Sequence, residues 1–431
     1  MKKVLIITYY WPPSGGAGVQ RWLKFAKYLP QFGWEPVIYT PENPDFAVED
    51  NSLQKDISPT LKVIKSHIWE PYEIYKFLIG KKGQKVNVSF AEGNKKQGKI
   101  HKLALAIRGN LLIPDPKCFW IQPSVKLLQE YLKKNPVDAI VTTGPPHSMH
   151  IIGRKLHKKT NIPWLADFRD PWTNIDFYKE LNLTYVADKI HHRAEKSVLK
   201  NAQKVVSVTP TWCRELSELA GRQVDLVHNG YDDEDIIKTD KAVDPDFSLV
   251  HIGSLNAARN PKTLWLALSE MVKVNTELAA TLKIRFVGNV EPVVLQSLDE
   301  LGLTKYVDRI GYMPHADAIA FQQTSTILLL LVNNTPNANG ILTGKFYEYM
   351  ASERPILVIG PDRSDVATFL DETKAGLIAG FDDLEGTKRV VHQLFEKYKS
   401  GKLNSESQNY QQYSRKNQCA VMAGLLDEIV K

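Results

Sequence analysis

Short apolar runs of strand length alternate with amphipathic helical patterns almost from end to end of this 431-residue chain, and the series starts twice. Such alternation specifies parallel sheets with crossover helices, because a strand covered on both faces reads as a continuous apolar run and its return path needs a helix. In the first half the strand candidates are Val4 to Thr8, Pro36 to Tyr39, Leu61 to Ile64, Ala139 to Thr142, Pro163 to Ala166, Lys204 to Val208 and Asp225 to His228. Gln20 to Leu29 and Ser148 to Lys159 are helical patterns between them. The second series runs through Ser248 to His251, Lys283 to Val287, Val307 to Ile310, Ile327 to Leu331 and Pro355 to Ile359. Tyr231 to Phe247 is polar, acidic and without periodicity, so it reads as a linker. The expected fold class is α/β, with two doubly wound parallel-sheet domains over 1–232 and 248–405 and a terminal helix over 408–431 that packs back on the first.

No window approaches the ~18 to 20 apolar residues that cross a bilayer, and the opening Val4 to Ile7 run lacks a small-residue cleavage site, so it reads as a first strand. Cys118, Cys213 and Cys419 are too scattered for a metal knuckle or a disulfide framework, which predicts a reducing, cytoplasmic setting. Net charge is +7, yet residues 1–200 carry 31 Lys and Arg against 18 Asp and Glu, and the remainder 24 against 30. Eight lysines against the single acid Glu92 crowd Lys76 to Lys102. A solvated lysine-rich loop is the plain reading. The apolar residues on both sides, Tyr75 and Phe77 before and Leu103 and Ile107 after, suit peripheral contact with an anionic membrane, at ~1 kcal/mol per basic residue near the surface. No arginine-rich or aromatic-ladder motif points to nucleic acid.

Candidate chemistry collects at strand ends. Pro12-Pro13-Ser14-Gly15-Gly16-Ala17-Gly18 lies between a strand and a helix, where glycines admit a ligand close to the backbone and a helix N-terminus offers N–H groups to phosphate. The run breaks the G-x-G-x-x-G pattern at Arg21, and the second strand ends in Thr40 rather than an acid, which disfavours a dinucleotide dehydrogenase. Thr142 to His150 places His147 and His150 on one side of a helix start, with His147 the stronger substrate contact and no metal spacing around either. Asp167-Phe168-Arg169-Asp170-Pro171-Trp172 offers carboxylates to sugar hydroxyls and Arg169 to an anion, or else forms a structural ion-pair network. In the second half Ser254, Arg259 and Lys262 surround a strand end and a helix entrance suited to a diphosphate. The glycine loop of Asn337, Asn339, Gly340, Thr343 and Gly344 then feeds a helix carrying Lys345 and Glu348, whose plain reading is an i, i+3 salt bridge.

Together, and in this order, PPSGGAG, GPPHSMH, DFRDPW, HNGYD, GSLNAARNPK and LTGKFYEYMASERPIL resemble a family 4 glycosyltransferase, over nearly the whole chain. The resemblance implies the GT-B fold, two Rossmann-like domains facing across a cleft. It also implies retaining transfer of a sugar from a nucleotide diphosphate sugar to a saccharide or lipid-linked saccharide acceptor in cell-surface polysaccharide or glycolipid assembly. Glu348 would bind the ribose, Thr343 and Gly344 the diphosphate through their N–H groups, and Arg259 its charge. His147 would contact the sugar, and Gly15 and Gly16 would flank the diphosphate. Gly340 stands where the family commonly has an acid, and Ser254 where an arginine is frequent. No cofactor and no metal are expected, since no D-x-D pair precedes a sheet edge. The expected setting is cytoplasmic, at the inner face of the cell membrane. A nucleotide-sugar 2-epimerase and a non-catalytic nucleotide-sugar-binding homologue are the alternatives.

Overall fold

In a computed structural model the described residues are 1–45, 49–71, 99–236 and 242–430, with the side chains of 17 and 99–104 outside the description. Most of the Lys76 to Lys102 stretch therefore lies outside the described residues. The chain divides into one unit of Met1–His228 with Arg415–Lys431 and a second of Asn229–Ser414.

The first unit holds β1 (Lys2–Ile7), β2 (Trp34–Pro41), β3 (Lys62–Ser66), β4 (Ala139–Gly144), β5 (Trp164–Phe168), β6 (Lys204–Ser207) and β7 (Asp225–Leu226). They form one parallel sheet in the order β3-β2-β1-β4-β5-β6-β7. The central strands are buried on both faces, so each face has its own core. One is built on Leu5, Val125, Ile140, Ile152 and Trp164. The other is built on Ile6, Trp22 and Leu165, together with Cys419, Met422 and Leu426 of the terminal helix Arg415–Ile429.

The second unit holds β8 (Phe247–Ile252), β9 (Leu282–Val287), β10 (Val307–Gly311), β11 (Ile327–Leu331), β12 (Ile356–Ile359) and β13 (Gly376–Ala379), parallel in the order β10-β9-β8-β11-β12-β13. Strand β13 is absent from the sequence expectation. Its four residues include a glycine and an alanine, and most are only partly buried, so no apolar run marks it. Gly376 lies against the Ile356 carbonyl, where an added Cβ would stand 2.0 Å from the oxygen. Part of the presumed linker is also structural, since Tyr231 is buried in the second unit's core and its N–H donates to the Tyr413 carbonyl. The terminal helix starts at Arg415 rather than 408, after a turn over Tyr410–Tyr413.

Helix Ser148–Thr160 approaches the sheet through Gly153, where a Cβ would stand 2.5 Å from Thr142 Cγ2 and 2.6 Å from Trp164 Nε1. Gly424, in the terminal helix, faces open space. In urea or thermal unfolding, Gly153→Ala should therefore cost about 1–3 kcal/mol by overpacking. Gly424→Ala should stabilise by about 0.4–1 kcal/mol.

Candidate functional site

In an open parallel sheet, a crevice forms beyond the carboxyl ends of the two strands from which the chain leaves in opposite directions. In the first unit those strands are β1 and β4, and in the second β8 and β11. Most of the candidate residues follow β1, β4, β5, β8 or β11.

After β1, Gly15 is half-buried and Gly16, with φ +89°, is the N-cap of helix Ala17–Tyr28. No side chain caps this end and no acid occupies its first turn. Gly18 packs against Tyr10 and Arg169. Arg169 stitches two loops, donating from Nη1 to the Gly18 carbonyl (2.8 Å) and from Nη2 to the Pro145 carbonyl. Asp170 is partly buried and makes no hydrogen bond among the described residues; burial raises its pKa against the lowering effect of Arg169.

Asp167 takes the structural role. It is fully buried, and its oxygens accept from Arg21 Nε (3.2 Å) and Nη2 (3.0 Å), Trp22 Nε1 (2.6 Å) and Thr143 Oγ1 (2.9 Å). With three donors on Oδ2, one on Oδ1 and no exposure, the carboxylate has no face open to a substrate. Its placement among the substrate-contacting residues therefore gives way to the ion-pair network read as the alternative.

His147 is the N-cap of helix Ser148–Thr160, whose first residue is held by Asp115: its Oδ2 accepts from the Ser148 N–H and its Oδ1 from the Ser148 hydroxyl, both at 2.8 Å. The His147 ring stacks on Trp172 with centroids 4.8 Å apart. Trp172 is fixed in turn, donating from Nε1 to His191 Nδ1 (3.1 Å) and from its backbone N–H to Glu195 (3.2 Å). His150 is fully buried and stacks on Phe168. Burial holds both imidazoles neutral: His147, with His150 and Arg169 adding to the effect, lies well below the usual histidine value, and His150, with Asp167 opposing the shift, lies at about 3. Asp115, His191 and Glu195 were not singled out in the sequence. Their roles depend on segments brought together from 19 to 33 residues away, with no local motif.

In the second unit, β8 is followed at once by Gly253, with φ +121°, and the Lys345 ammonium lies directly over it. An added Cβ at Gly253 would stand 2.0 Å from Lys345 Nζ. Lys345 forms no hydrogen bond or ion pair among the described residues, and burial, then the Arg259 charge, brings its pKa down to about 8. The expected bridge to Glu348 does not form within 4 Å, and Glu348 raises the lysine's pKa only through space. Arg259 is oriented by Asn333 Oδ1 (2.5 Å, from Nε) and the Ser254 carbonyl (3.3 Å, from Nη1), with no carboxylate partner among the described residues. Asn333 directly follows the apolar run of β11, a position that topology marks and composition does not. His251 donates from Nδ1 to the Leu329 carbonyl (3.1 Å), which leaves its buried Nε2 as an acceptor without a partner.

Helix Gly344–Ala351 begins at Thr343 with no side-chain cap and no acid in its first turn, and Gly344 faces open space. The Ile252 N–H donates to Tyr349 Oη (3.1 Å) and ties this helix to β8. Ser254, Lys262 and Asn339 are exposed, Lys262 as the first residue of helix Lys262–Val274. The structure thus brings Lys345 and Arg259 together at Gly253, next to Ser254 and with Glu348 one helical turn from Lys345.

No family model matches the chain, and no curated protein does. Solved structures do. A sucrose-phosphate synthase from Thermosynechococcus elongatus superposes with a TM-score of 0.66 at 14% identity, over 99% of this chain and 98% of the other. A glycosyltransferase from Rickettsia africae gives 0.65 at 14%, over 100% and 99%. HepE from Anabaena, solved with UDP-glucose, gives 0.59 at 12%, over 100% and 97%. Likeness at this identity establishes the fold, which is the GT-B fold of two Rossmann-like parallel-sheet units.

The buried histidines set an acid limit on stability. His150 and His251 sit at about 3 and His228 at about 4, all lowered chiefly by burial. Each takes up a proton on unfolding at any pH between its folded value and the ordinary ~6.5, so stability present above 6.5 is lost as pH falls toward 4. The slope should reach ~1.4 kcal/mol per pH unit per histidine. Denaturant titrations from pH 7 to 4 should show it, and His150→Gln should lower the slope by one proton.

Proposed function

We propose that the chain is a glycosyltransferase that moves a sugar from a nucleotide diphosphate sugar to an acceptor hydroxyl. The observation that carries this reading is the pair of cations at the end of β8. Lys345 and Arg259 form no ion pair among the described residues, and they lie beside the uncapped N-terminus of helix Gly344–Ala351. A departing diphosphate needs neutralisation of this kind, by charge already in place and by helix-end N–H groups. In this reading Thr343 and Gly344 meet the diphosphate through their N–H groups, Ser254 and Asn339 line the donor and Lys262 adds charge. Glu348, which forms no salt bridge among the described residues, accepts from the ribose hydroxyls. In the first unit Arg169 holds the glycine loops, and His147 and Asp170 are the groups offered to sugar or acceptor hydroxyls, with Gly15 and Gly16 leaving the backbone open to a ligand. HepE's UDP-glucose makes uridine nucleotides the first probes.

The finer reading is metal-independent transfer with retention, to a saccharide or lipid-linked saccharide in cell-surface polysaccharide or glycolipid assembly on the cytoplasmic side of a membrane. Support for membrane contact comes from the first unit. Leu111, Tyr185, Val186 and Ile190 are exposed where helices Lys99–Leu111 and Tyr185–Asn201 meet, joined by Asn110 and Thr184. Exposed Lys189, Arg193, Lys196 and Lys200 continue along the second helix. Apolar side chains beside cations suit an anionic interface.

Calorimetry with UDP in EDTA-containing buffer tests the donor site. Lys345→Met, Arg259→Ala and Glu348→Ala should each weaken binding by ~1.5–3 kcal/mol, the range for a hydrogen bond to a charged group. Wild-type affinity should also decline as pH rises past about 8, where Lys345 loses its proton, and the Lys345→Met variant should lack that decline. A strict need for Mg²⁺, or unchanged affinity in all three variants, would overturn the donor site. Sedimentation with vesicles should show binding that grows with anionic lipid and weakens in the Val186→Ser/Ile190→Ser double variant; indifference to lipid charge removes the membrane reading.

A further inference from the structure

The two imidazoles after β4 carry an unsatisfied pair of nitrogens. His147 Nδ1 and His150 Nε2 are both buried and both without a hydrogen-bond partner. Both lie against Gly144: a Cβ there would stand 3.0 Å from His147 Nδ1 and 2.6 Å from His150 Nε2. The ring centroids are 5.7 Å apart. Buried polar atoms left unpaired are costly, so two of them converging on one glycine need an account.

Proton counting supplies one. Trp164 Nε1–H can only donate, and it donates to Thr142 Oγ1 at 2.9 Å. The same Oγ1 is 2.9 Å from His150 Nδ1. A hydroxyl has one proton, and His150 Nδ1 is its one acceptor among the described residues. Donation from Thr142 to His150 Nδ1 gives the hydroxyl proton an acceptor, which two donors into the same oxygen would deny it, and a neutral His150 paired in this sense carries its own proton on Nε2. That N–H is the atom turned toward Gly144 and His147 Nδ1. An acceptor is required there, and Nδ1 is one only if His147 carries its own proton on Nε2. His147 Nε2 makes no hydrogen bond among the described residues and is not among the buried unpartnered atoms, so it is the ring's accessible nitrogen.

We propose that Trp164, Thr142 and His150 form a buried relay that fixes His147 in the Nε2–H tautomer, so that it presents a neutral hydrogen-bond donor to its ligand. The two nitrogens do not pair with each other directly, so the link from His150 Nε2–H to His147 Nδ1 runs through one water, which keeps the same donor sense. His150 is then a positioning residue. Gly144 is glycine because a side chain would stand between the two rings. Stacking of His147 on Trp172 and of His150 on Phe168 holds both ring planes. The inference deepens the proposed function by giving His147 a defined polarity: it donates to an oxygen of the sugar and does not take a proton from one.

Long-range ¹H–¹⁵N spectra of the histidine side chains in the ligand-free protein test the relay without any turnover. His147 is assigned by the signal lost in His147→Asn. The wild type should show His147 and His150 as single Nε2–H tautomers. His150→Phe, which keeps an aromatic ring against Phe168, should leave His147 a mixture of tautomers, while His150→Gln, whose amide donates, should restore the single form. Thr142→Val should release His150 in the same way. The transfer rate from UDP-glucose should follow, down about tenfold in His150→Phe and recovering in His150→Gln, the size of effect typical of removing a partner that orients a functional histidine. An Nδ1–H His147 in the wild type, or a His147 tautomer unmoved by His150→Phe in a folded variant, overturns the relay. Absent UDP binding with an intact tautomer signature would instead count against the glycosyltransferase reading alone.

Discussion

The first unit is organised around one buried carboxylate. Asp167 stands near the end of β5 and gathers Arg21 and Trp22 from the helix after β1 and Thr143 from the end of β4. A charge without solvent is tolerable only with this many donors, and loss of a partner leaves the rest uncompensated. Arg21 also donates from Nη1 to the His228 carbonyl (2.7 Å), so the end of the unit's first chain segment is drawn into the same network. The glycine turn, the histidine turn and the Asp170 loop hold their places because the strands and the helix beneath them share this anchor.

The two candidate sites solve different electrostatic problems. In the first unit burial removes charge: His147 and His150 are neutral, and Asp170 is pushed toward its protonated form. Groups of that kind recognise hydroxyls, with which they exchange neutral hydrogen bonds. In the second unit burial confines charge without cancelling it, since Lys345 keeps a proton up to about pH 8 with Arg259 as a like-charged neighbour. The repulsion between them is relieved by an anion. Under the proposed function, a polar, uncharged group and an anionic one would be met on separate sheets by separate means.

Much of this was legible in the sequence. Twelve of the thirteen strands announced themselves as apolar runs, and the loops after β1, β4, β5, β8 and β11 were picked out by glycine, histidine and charge. What stayed hidden was strand order. That β4 would lie beside β1, its paired residues 135 positions away, and so bring Gly18, Pro145 and Arg169 together, is a property of the sheet and not of any local stretch. The same limit blurred Asp167, whose structural and chemical readings differ only in how many donors surround it. Edge strand β13 failed to register for the opposite reason, being too short and too little buried to have a pattern. Lys345 and Glu348, at a spacing that reads as an ordinary surface bridge, remain apart because the lysine extends over Gly253 instead.

The terminal helix has a consequence for how the molecule is made. Cys419, Met422 and Leu426 fill the same face of the first sheet as Trp22 and Leu23, and Arg415 Nη1 donates to Gln20 (3.0 Å). On the ribosome, domains generally fold as units in the order they emerge. Here the part of the first unit's apolar face that Arg415–Ile429 covers stays open throughout translation of the second unit, until that 15-residue helix emerges. During that interval the uncovered apolar face is the surface a chaperone would recognise.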